Sequence, residues 1–488
     1  MQLTASLRLK TIKGFFWQLS GNLLQNILQL VVIAILARLI SKNDFGLAQL
    51  ALVVIGLGKI TTQLGIGPAL VQIKKIDNKH ITTSETFTFV FSLLLGIIVF
   101  FTSNHLEAFF KASGLSEILK VCSVIFLLEG VSTISSSIML RAMRQKELVM
   151  IDFFSYSVGY GVVATAMAWL DYGVWSLVMG QVCQSLLKLL GLLFATRHIP
   201  KFGWSAGHFK ELIGFGGWFT AAHLCNYSAG QADNVVVGKM LGTESLGVYG
   251  RAYNLMVKPV ELVGSALDKA LFPAMARRQD NLEKVAEVFI AGSRLILIIS
   301  IPISVLMVLL SDFIVMVLLG DNWSDVVVPL QILSMGLVFR MGYKMGSITT
   351  KALGEMSKRT KVEFMYAISM VVFCFIGTKH GLNGVAFGVI CSIALTYMMM
   401  ITISLNALKI GLARYFKQMA APLALSSFIG ISYVLMDMVL SHYLSNIYLY
   451  KTAFLLTSVV ISLAILMLLG KKAKWMQDII AIISIRKL

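Results

Sequence analysis

The sequence is short of charge, and shortest of negative charge. Asp, Glu, Lys and Arg make up 14% of the 488 residues, with 24 acidic against 42 basic side chains, whereas an ordinary soluble domain carries roughly a quarter charged residues. With 57% hydrophobic residues and a mean hydropathy of +0.81, this scarcity excludes a water-soluble fold. The formal charge of +18 does not point to nucleic acid, because such binders cluster Lys and Arg on a solvated face of a soluble core. Here the basic residues fall in short runs between apolar stretches.

Cysteine is sparse as well. Cys122, Cys183, Cys225, Cys374 and Cys391 lie inside apolar segments, without the paired spacing of a metal site or a disulfide scaffold, and read as packing residues. His80, His105, His198, His208, His223, His380 and His442 are scattered, so no metal is expected. No Gly-rich loop ending in Lys-Ser/Thr is present to hold a nucleotide, and the connections are too short to fold as a catalytic domain. Neither an enzyme nor a self-sufficient ATP-driven pump is expected, and no cofactor beyond coupling to H+ or Na+. No small-residue cleavage site follows Arg8, Lys10, Lys13 and the apolar run from Phe15, so no cleaved signal peptide is expected.

What the chain has in abundance is long apolar runs. A spanning helix needs about 20 mainly apolar residues, and fourteen stretches qualify: 15–40, 46–71, 82–103, 116–140, 149–170, 174–196, 211–240, 245–275, 286–310, 326–349, 362–378, 382–405, 418–440 and 448–470. The fold expected is an all-α integral membrane protein with fourteen transmembrane helices. Basic residues resist translocation in short loops, so the basic side should be cytoplasmic. Alternate connections carry Arg8/Lys10/Lys13, Lys74/Lys75/Lys79, Arg141/Arg144/Lys146, Arg197/Lys201/Lys210, Arg277/Arg278/Lys284, Lys351/Lys358/Arg359/Lys361, Lys409/Arg414/Lys417 and Lys471/Lys472/Lys474/Arg486/Lys487. The other side holds only Lys42, Lys111, Lys239, Lys379 and Lys451. Both termini are thereby expected in the cytoplasm.

The chain also repeats itself. At an offset of 201, Trp17 falls on Trp218, Leu23 on Leu224, and Ile40-Ser-Lys-Asn-Asp-Phe-Gly46 on Leu241-Gly-Thr-Glu-Ser-Leu-Gly247. Further on, Pro68-Ala-Leu matches Pro273-Ala-Met, and Gly173-Val-Trp-Ser-Leu-Val-Met-Gly180 matches Gly381-Leu-Asn-Gly-Val-Ala-Phe-Gly388. An even six helices per repeat gives two lobes of like orientation. The organisation expected is an N-terminal lobe over 1–210 with a basic amphipathic start, a C-terminal lobe over 211–417, two further helices over 418–470, and a basic amphipathic tail over 471–488 lying on the anionic inner leaflet.

Ionisable groups inside spans are costly and usually face a water-filled cavity or a partner. The first span places Gln18, Asn22, Gln25 and Gln29 on one stripe, and the seventh answers with His223 and Asn226, followed by Asp233 and Asn234. Interhelical hydrogen bonding would produce the same pattern. In the eighth span, Arg251, Asn254, Lys258, Glu261, Ser265 and Lys269 recur at three- and four-residue steps; Arg340, Lys344 and Ser347 do so in the tenth. Lys59 and Arg294 add to a cationic surplus, opposed by Glu129, Asp233 and Glu261. Lys258 and Glu261 are spaced to pair, and Lys188 and Lys269 read as side chains reaching towards an interface.

A cavity lined by Lys59, Arg251, Lys258, Arg294, Arg340 and Lys344 suits phosphate oxygens. The amides of Gln18, Asn22, Gln25 and Gln29, with His223 and Asn226, suit sugar hydroxyls, and Asp233, Glu261 and Glu129 are the candidates for a coupling ion. Asp233 could equally pair with Arg251.

Ala37-Arg-Leu-Ile-Ser-Lys-Asn-Asp-Phe-Gly46, Arg141-Ala-Met-Arg-Gln-Lys-Glu147, Leu318-Leu-Gly-Asp-Asn-Trp323 and Pro329-Leu-Gln-Ile-Leu333, in this order and spacing, resemble the polysaccharide-exporter family, of the colanic-acid-exporter type. That family lies within the multidrug/oligosaccharidyl-lipid/polysaccharide superfamily. The resemblance implies six-helix lobes flanking a central cavity that opens alternately to either side of the bacterial inner membrane. It also implies export of an undecaprenyl-diphosphate-linked oligosaccharide for surface polysaccharide, with membrane lipids, a polymerase and export machinery as partners. A cation-coupled multidrug antiporter of the same superfamily, which would want acidic groups, and a membrane-embedded glycan polymerase or ligase, which would want a large external loop, are the competing expectations.

Overall fold

The computed structural model describes residues 2–73, 76–197, 200–443 and 447–470, and within them every regular element is helical. The expected tail over 471–488 lies outside the described residues. In chain order the helices are α1 (Gln2–Leu39), α2 (Lys42–Gln63), α3 (Ile66–Gln72), α4 (Asn78–Phe110), α5 (Leu115–Arg141) and α6 (Gln145–Tyr156), which continues through a π-helical stretch, Ser157–Ala164, into α7 (Thr165–Trp169). Then follow α8 (Val174–Thr196), α9 (Ala206–Met240), α10 (Gly242–Ala276), α11 (Leu282–Leu309), α12 (Ser311–Leu318), α13 (Val327–Met335) and α14 (Leu337–Ala352). The last four are α15 (Met356–Gly377), α16 (Gly381–Ala407), α17 (Leu412–Tyr443) and α18 (Ile447–Gly470).

Each expected span falls on one helix or on consecutive helices. Judged by length and apolarity alone, eight helical segments among the described residues can cross a membrane, or nine if α13 and α14 form one bent span. One of the eight, Met356–Ala407, runs through two expected crossings. α9 and α10, 35 residues each, have the length but carry the polar side chains singled out above. The chain is a multi-pass membrane protein, and its outward surface agrees: Phe194, Trp169 and Phe101 are 88%, 78% and 72% exposed, a distribution that lipid rewards and water penalises.

Local chemistry sets the helix ends. Ser41 caps α2 by accepting from the Asp44 N–H, and Asp77 caps α4 by accepting from the His80 N–H, each satisfying a donor that the first turn leaves without a helical partner. The second expected span is broken: Leu64 and Gly65 both adopt left-handed backbone (φ 36° and 66°), separating α2 from α3. Its repeat partner α10 runs on, with Pro259 and Pro273 inside it.

The chain resolves into two compact units. The first takes the chain through Gly250 together with Val317–Asn322, and the second runs from Arg251 to Met316 and from Trp323 onward. In the first unit α5 is packed by α4, α8 and α2, and α2 also meets α9; Phe126, Leu50 and Ile66 are fully buried there. In the second unit α11 packs on α17 and α14, and α16 on α15 and α14, around buried Phe289, Tyr433 and Phe454.

Within the first unit the repeated connections meet each other. A Cβ on Gly46 would overlap the carbonyl oxygen of Thr243, and a Cβ on Gly247 would overlap that of Lys42. Asn43 and Thr243 are also joined by a side-chain hydrogen bond. Only glycine permits so close a backbone approach.

Candidate functional site

The cationic residues of the second unit converge where α10 meets α14. The Arg340 guanidinium lies over the Tyr253 ring, 5.1 Å from its centroid. A Cβ on Gly264 would touch Lys344 Cε at 3.4 Å, and Lys351 lies 3.7 Å from Asp268. The contacts advance in the same sense along both helices.

Both helices are irregular at this seam. Lys258 precedes Pro259, which supplies no N–H to the Leu255 carbonyl and interrupts the helical ladder. Arg340 and Lys344 follow a 43° bend between α13 and α14. Interrupted helices in membrane transporters commonly line a substrate site, where their freed backbone groups can be satisfied.

The cations of the seam lie in different settings. Lys258 lies 3.6 Å from Glu261 within α10. Lys344 is half-buried, with Arg340 one turn away and no carboxylate of the described residues within ion-pair distance. Arg251, two turns before Lys258 on the same face of α10, is also part-buried.

Other expected site residues are engaged elsewhere. Arg294 donates from Nε to the Gln418 carbonyl and from Nη2 to its Oε1, each at 3.2 Å, tying α11 to α17. In the first unit Lys59 Nζ lies 2.7 Å from Glu129 Oε1, joining α2 to α5. Glu129 also faces Lys188, whose Nζ is 2.9 Å from Asp152 Oδ1. These four side chains form a neutral chain of charges across α2, α5, α8 and α6, and Lys188 is held by an ion pair where the sequence reads as reaching for an interface.

Asp233 is wholly buried. Its Oδ2 accepts from the Tyr249 hydroxyl at 2.6 Å and its Oδ1 from the Asn234 N–H at 2.8 Å. On the polar stripes, Gln25 and Gln29 are half-buried on α1, and His223 and Asn226 are exposed on α9. The side chains of Gln18, Asn22 and Lys269 lie outside the described residues.

Several residues of the seam escape a reading by charge in spans. Tyr253 bears no charge and Lys351 sits at the end of α14, whereas Asp268 lies within the eighth expected span and carries the signal of an ionisable group there. Asp152 and Lys188 carry the signal of ionisable groups within spans, and their pairing shows only when α6 and α8 are brought together. Pro259 directly after Lys258 is the clearest signal in the sequence that α10 is locally open.

A family model described as polysaccharide biosynthesis protein matches residues 35–328. The lipopolysaccharide biosynthesis protein WzxC of Escherichia coli strain K12 is 27% identical over 411 residues, covering 81% of this chain and 82% of that protein. The succinoglycan biosynthesis transport protein ExoT of Rhizobium meliloti strain 1021 is 25% identical over 299 residues, 61% of this chain and 60% of ExoT. A solved structure of the lipid II flippase MurJ, in an inward closed conformation, shares the fold with a TM-score of 0.77 over 94% of this chain and 99% of that one, at 15% identity. With the family match extending over most of the first unit and on through α11, the chain belongs to the polysaccharide biosynthesis protein family.

Proposed function

We propose that this protein is a flippase that carries a lipid-linked oligosaccharide, with an undecaprenyl diphosphate carrier, across the bacterial inner membrane for surface polysaccharide synthesis. Polymerisation and further export fall to other proteins. The observation that carries the proposal is the α10/α14 seam, where Lys344 is a half-buried ammonium with no carboxylate of the described residues in direct ion-pair contact, beside the Arg340 guanidinium. A half-buried cation without a contacting counter-ion is costly; Asp268 and Glu261 act on Lys344 only from beyond contact, and an anionic passenger would supply the direct partner. The relatives named for lipopolysaccharide biosynthesis and succinoglycan transport, and the flippase fold, support a glycan-bearing lipid as that passenger.

In this reading Arg340, Lys344, Lys258 and Arg251 receive the diphosphate, and Gln18, Asn22, Gln25, Gln29, His223 and Asn226 contact the glycan. Lys59 and Arg294 brace the helices through Glu129 and Gln418. Of the three candidate carboxylates, Glu261 is the accessible one, with its side chain 56% exposed beside Lys258. A coupling H+ or Na+ taken up by Glu261 would release Lys258 to the phosphate. Cytoplasmic termini follow from the basic connections, which lie on one side of the expected topology.

The test replaces Arg340 and Lys344 with Met in the native host and measures two quantities: surface polysaccharide, and lipid-linked oligosaccharide retained in the membrane, identified by mass spectrometry. The double variant should reach the membrane at normal abundance, lose surface polysaccharide and accumulate the lipid-linked intermediate. Normal export by that variant, or drug efflux without any accumulated intermediate, would refute the assignment.

A further inference from the structure

The first unit holds a second cluster of chemistry that the flippase reading does not use. Asp77, His80 and His208 each offer a ligand atom, and those atoms all lie within 4.8 Å of one another. His80 and His208 are far apart in sequence and belong to different elements: His80 sits in the first turn of α4, which Asp77 caps, and His208 in the first turn of α9. Their rings stand edge to face with centroids 4.3 Å apart.

Each imidazole has one nitrogen engaged from outside the cluster. His208 Nδ1 is 2.6 Å from Ser205 Oγ, and His80 Nε2 is 3.3 Å from Glu211 Oε2. This leaves His208 Nε2 and His80 Nδ1 facing the Asp77 carboxylate, at 3.4 Å from Oδ2 and 2.8 Å from Oδ1; His80 Nδ1 also accepts the Asp77 N–H at 3.4 Å, a long contact that a bound cation would replace. Metal-ligating histidines are held in the same manner, with the second ring nitrogen bonded to an outer oxygen that fixes tautomer and orientation. Asp77 Oδ1 also accepts the His80 N–H at 2.9 Å, so Oδ2 is the oxygen free to turn to a cation.

One ligand separation already has the length a small tetrahedral ion requires. Bonds of about 2.0–2.1 Å to nitrogen and oxygen place neighbouring tetrahedral ligands roughly 3.3 Å apart. The 3.4 Å between Asp77 Oδ2 and His208 Nε2 has that length, and is long for a charge-assisted hydrogen bond, which closes to about 2.7–2.9 Å. His80 is buried, His208 half-buried and Asp77 exposed, giving a site anchored on its inner side and open to ions from outside.

We propose that Asp77, His80 and His208 bind a transition-metal dication of the zinc type, with Ser205 and Glu211 as the outer residues that orient the two imidazoles. Two imidazoles and a carboxylate select zinc-like ions over Mg2+ or Ca2+, which take oxygen ligands. Three protein ligands leave a fourth coordination position for water or an incoming anion. The bound ion clamps the connection ahead of α4 to the first turn of α9, fastening a cytoplasmic connection of the first repeat to the start of the second.

The experiment uses the full-length protein without an affinity tag, purified in detergent and stripped of metal, and titrates it with Zn2+ against a chromophoric chelator and with Co2+ by absorption. One equivalent of Zn2+ should bind, and Co2+ should give the intense visible bands of a four-coordinate site. His208→Ala and Asp77→Asn, both at accessible positions, should abolish this binding while the metal-free variants keep wild-type elution and thermal stability. Glu211→Gln should weaken it by roughly tenfold, and His223→Ala should leave it unchanged. Zinc uptake no greater in the wild type than in the His208→Ala/Asp77→Asn double variant, a six-coordinate cobalt spectrum, or equal loss in His223→Ala would overturn the proposal.

Discussion

Replacing Glu129 with Gln tests whether the charges of the first unit are structural. Lys59 Nζ and Glu129 Oε1 are 2.7 Å apart, and the side chains are 30% and 14% exposed. At that distance, with an effective dielectric constant of about 20, the gross attraction is about 6 kcal/mol. Desolvation cancels much of it, and removing one partner of a buried pair costs about 3–5 kcal/mol because the other charge is left uncompensated. Lys59 keeps some contact with water, so the loss should sit at the lower end, about 3 kcal/mol. Lys59→Met should cost less, about 1–2 kcal/mol, since Glu129 still faces Lys188. The double variant should be more stable than Glu129→Gln alone, giving a coupling energy in the range of about 1–3 kcal/mol expected for residues in contact. Equilibrium unfolding in mixed detergent micelles measures all four corners of the cycle, and polysaccharide export is measured alongside. If Glu129→Gln is as stable as wild type, the pair does not brace α2 against α5. If the double variant is stable but exports nothing, Lys59 belongs to the substrate path and its assignment here is wrong.

Gly46→Ala and Gly247→Ala should each destabilise by about 3 kcal/mol, because the added methyl overlaps a backbone oxygen that cannot rotate away; unfolding midpoints that match wild type would show the helix ends free to separate. Tyr249→Phe should cost about 1–3 kcal/mol by stripping a donor from the fully buried Asp233, visible in the same unfolding assay and absent from an Asp233→Asn background that no longer buries a charge. Pro259→Ala should stabilise α10 by up to about 3 kcal/mol while slowing export, since a restored ladder closes the backbone beside Lys258. Faster export from the stabilised variant would contradict the role given to that irregularity.

Much of the architecture could be read from the chain, because the bilayer allows few solutions. Apolar runs such as 82–103 and 382–405 fall inside α4 and α16, since hydrocarbon forces backbone groups to pair within the segment. What escaped was set by the third dimension. The break at Leu64–Gly65 lies within the expected span 46–71, where hydropathy carries no sign of backbone conformation. The i,i+3 spacing of Lys258 and Glu261 predicts their pair, but nothing local joins Lys59 to Glu129 or Lys188 to Asp152. Counting charges therefore overstated the free cations, because Lys59 and Arg294 find partners on other helices. The same limit hid His80 and His208, whose separation in the chain conceals that α4 and α9 start side by side.

The crossing of Gly46 and Gly247 has the form of a self-complementary dimer interface folded into one chain. In an isologous contact, residue i of one copy touches residue j of the other, and j touches i. Gly46 against the Thr243 carbonyl and Gly247 against the Lys42 carbonyl are such a pair under the internal repeat. The accepting partner contributes only main-chain oxygen, which every amino acid carries, so positions 42 and 243 are free to differ, as Lys and Thr do. The partner facing that oxygen must lack a side chain in both halves. The glycines are thus held by a geometry that tolerates no alternative, and the repeat stays visible at them while their carbonyl partners differ.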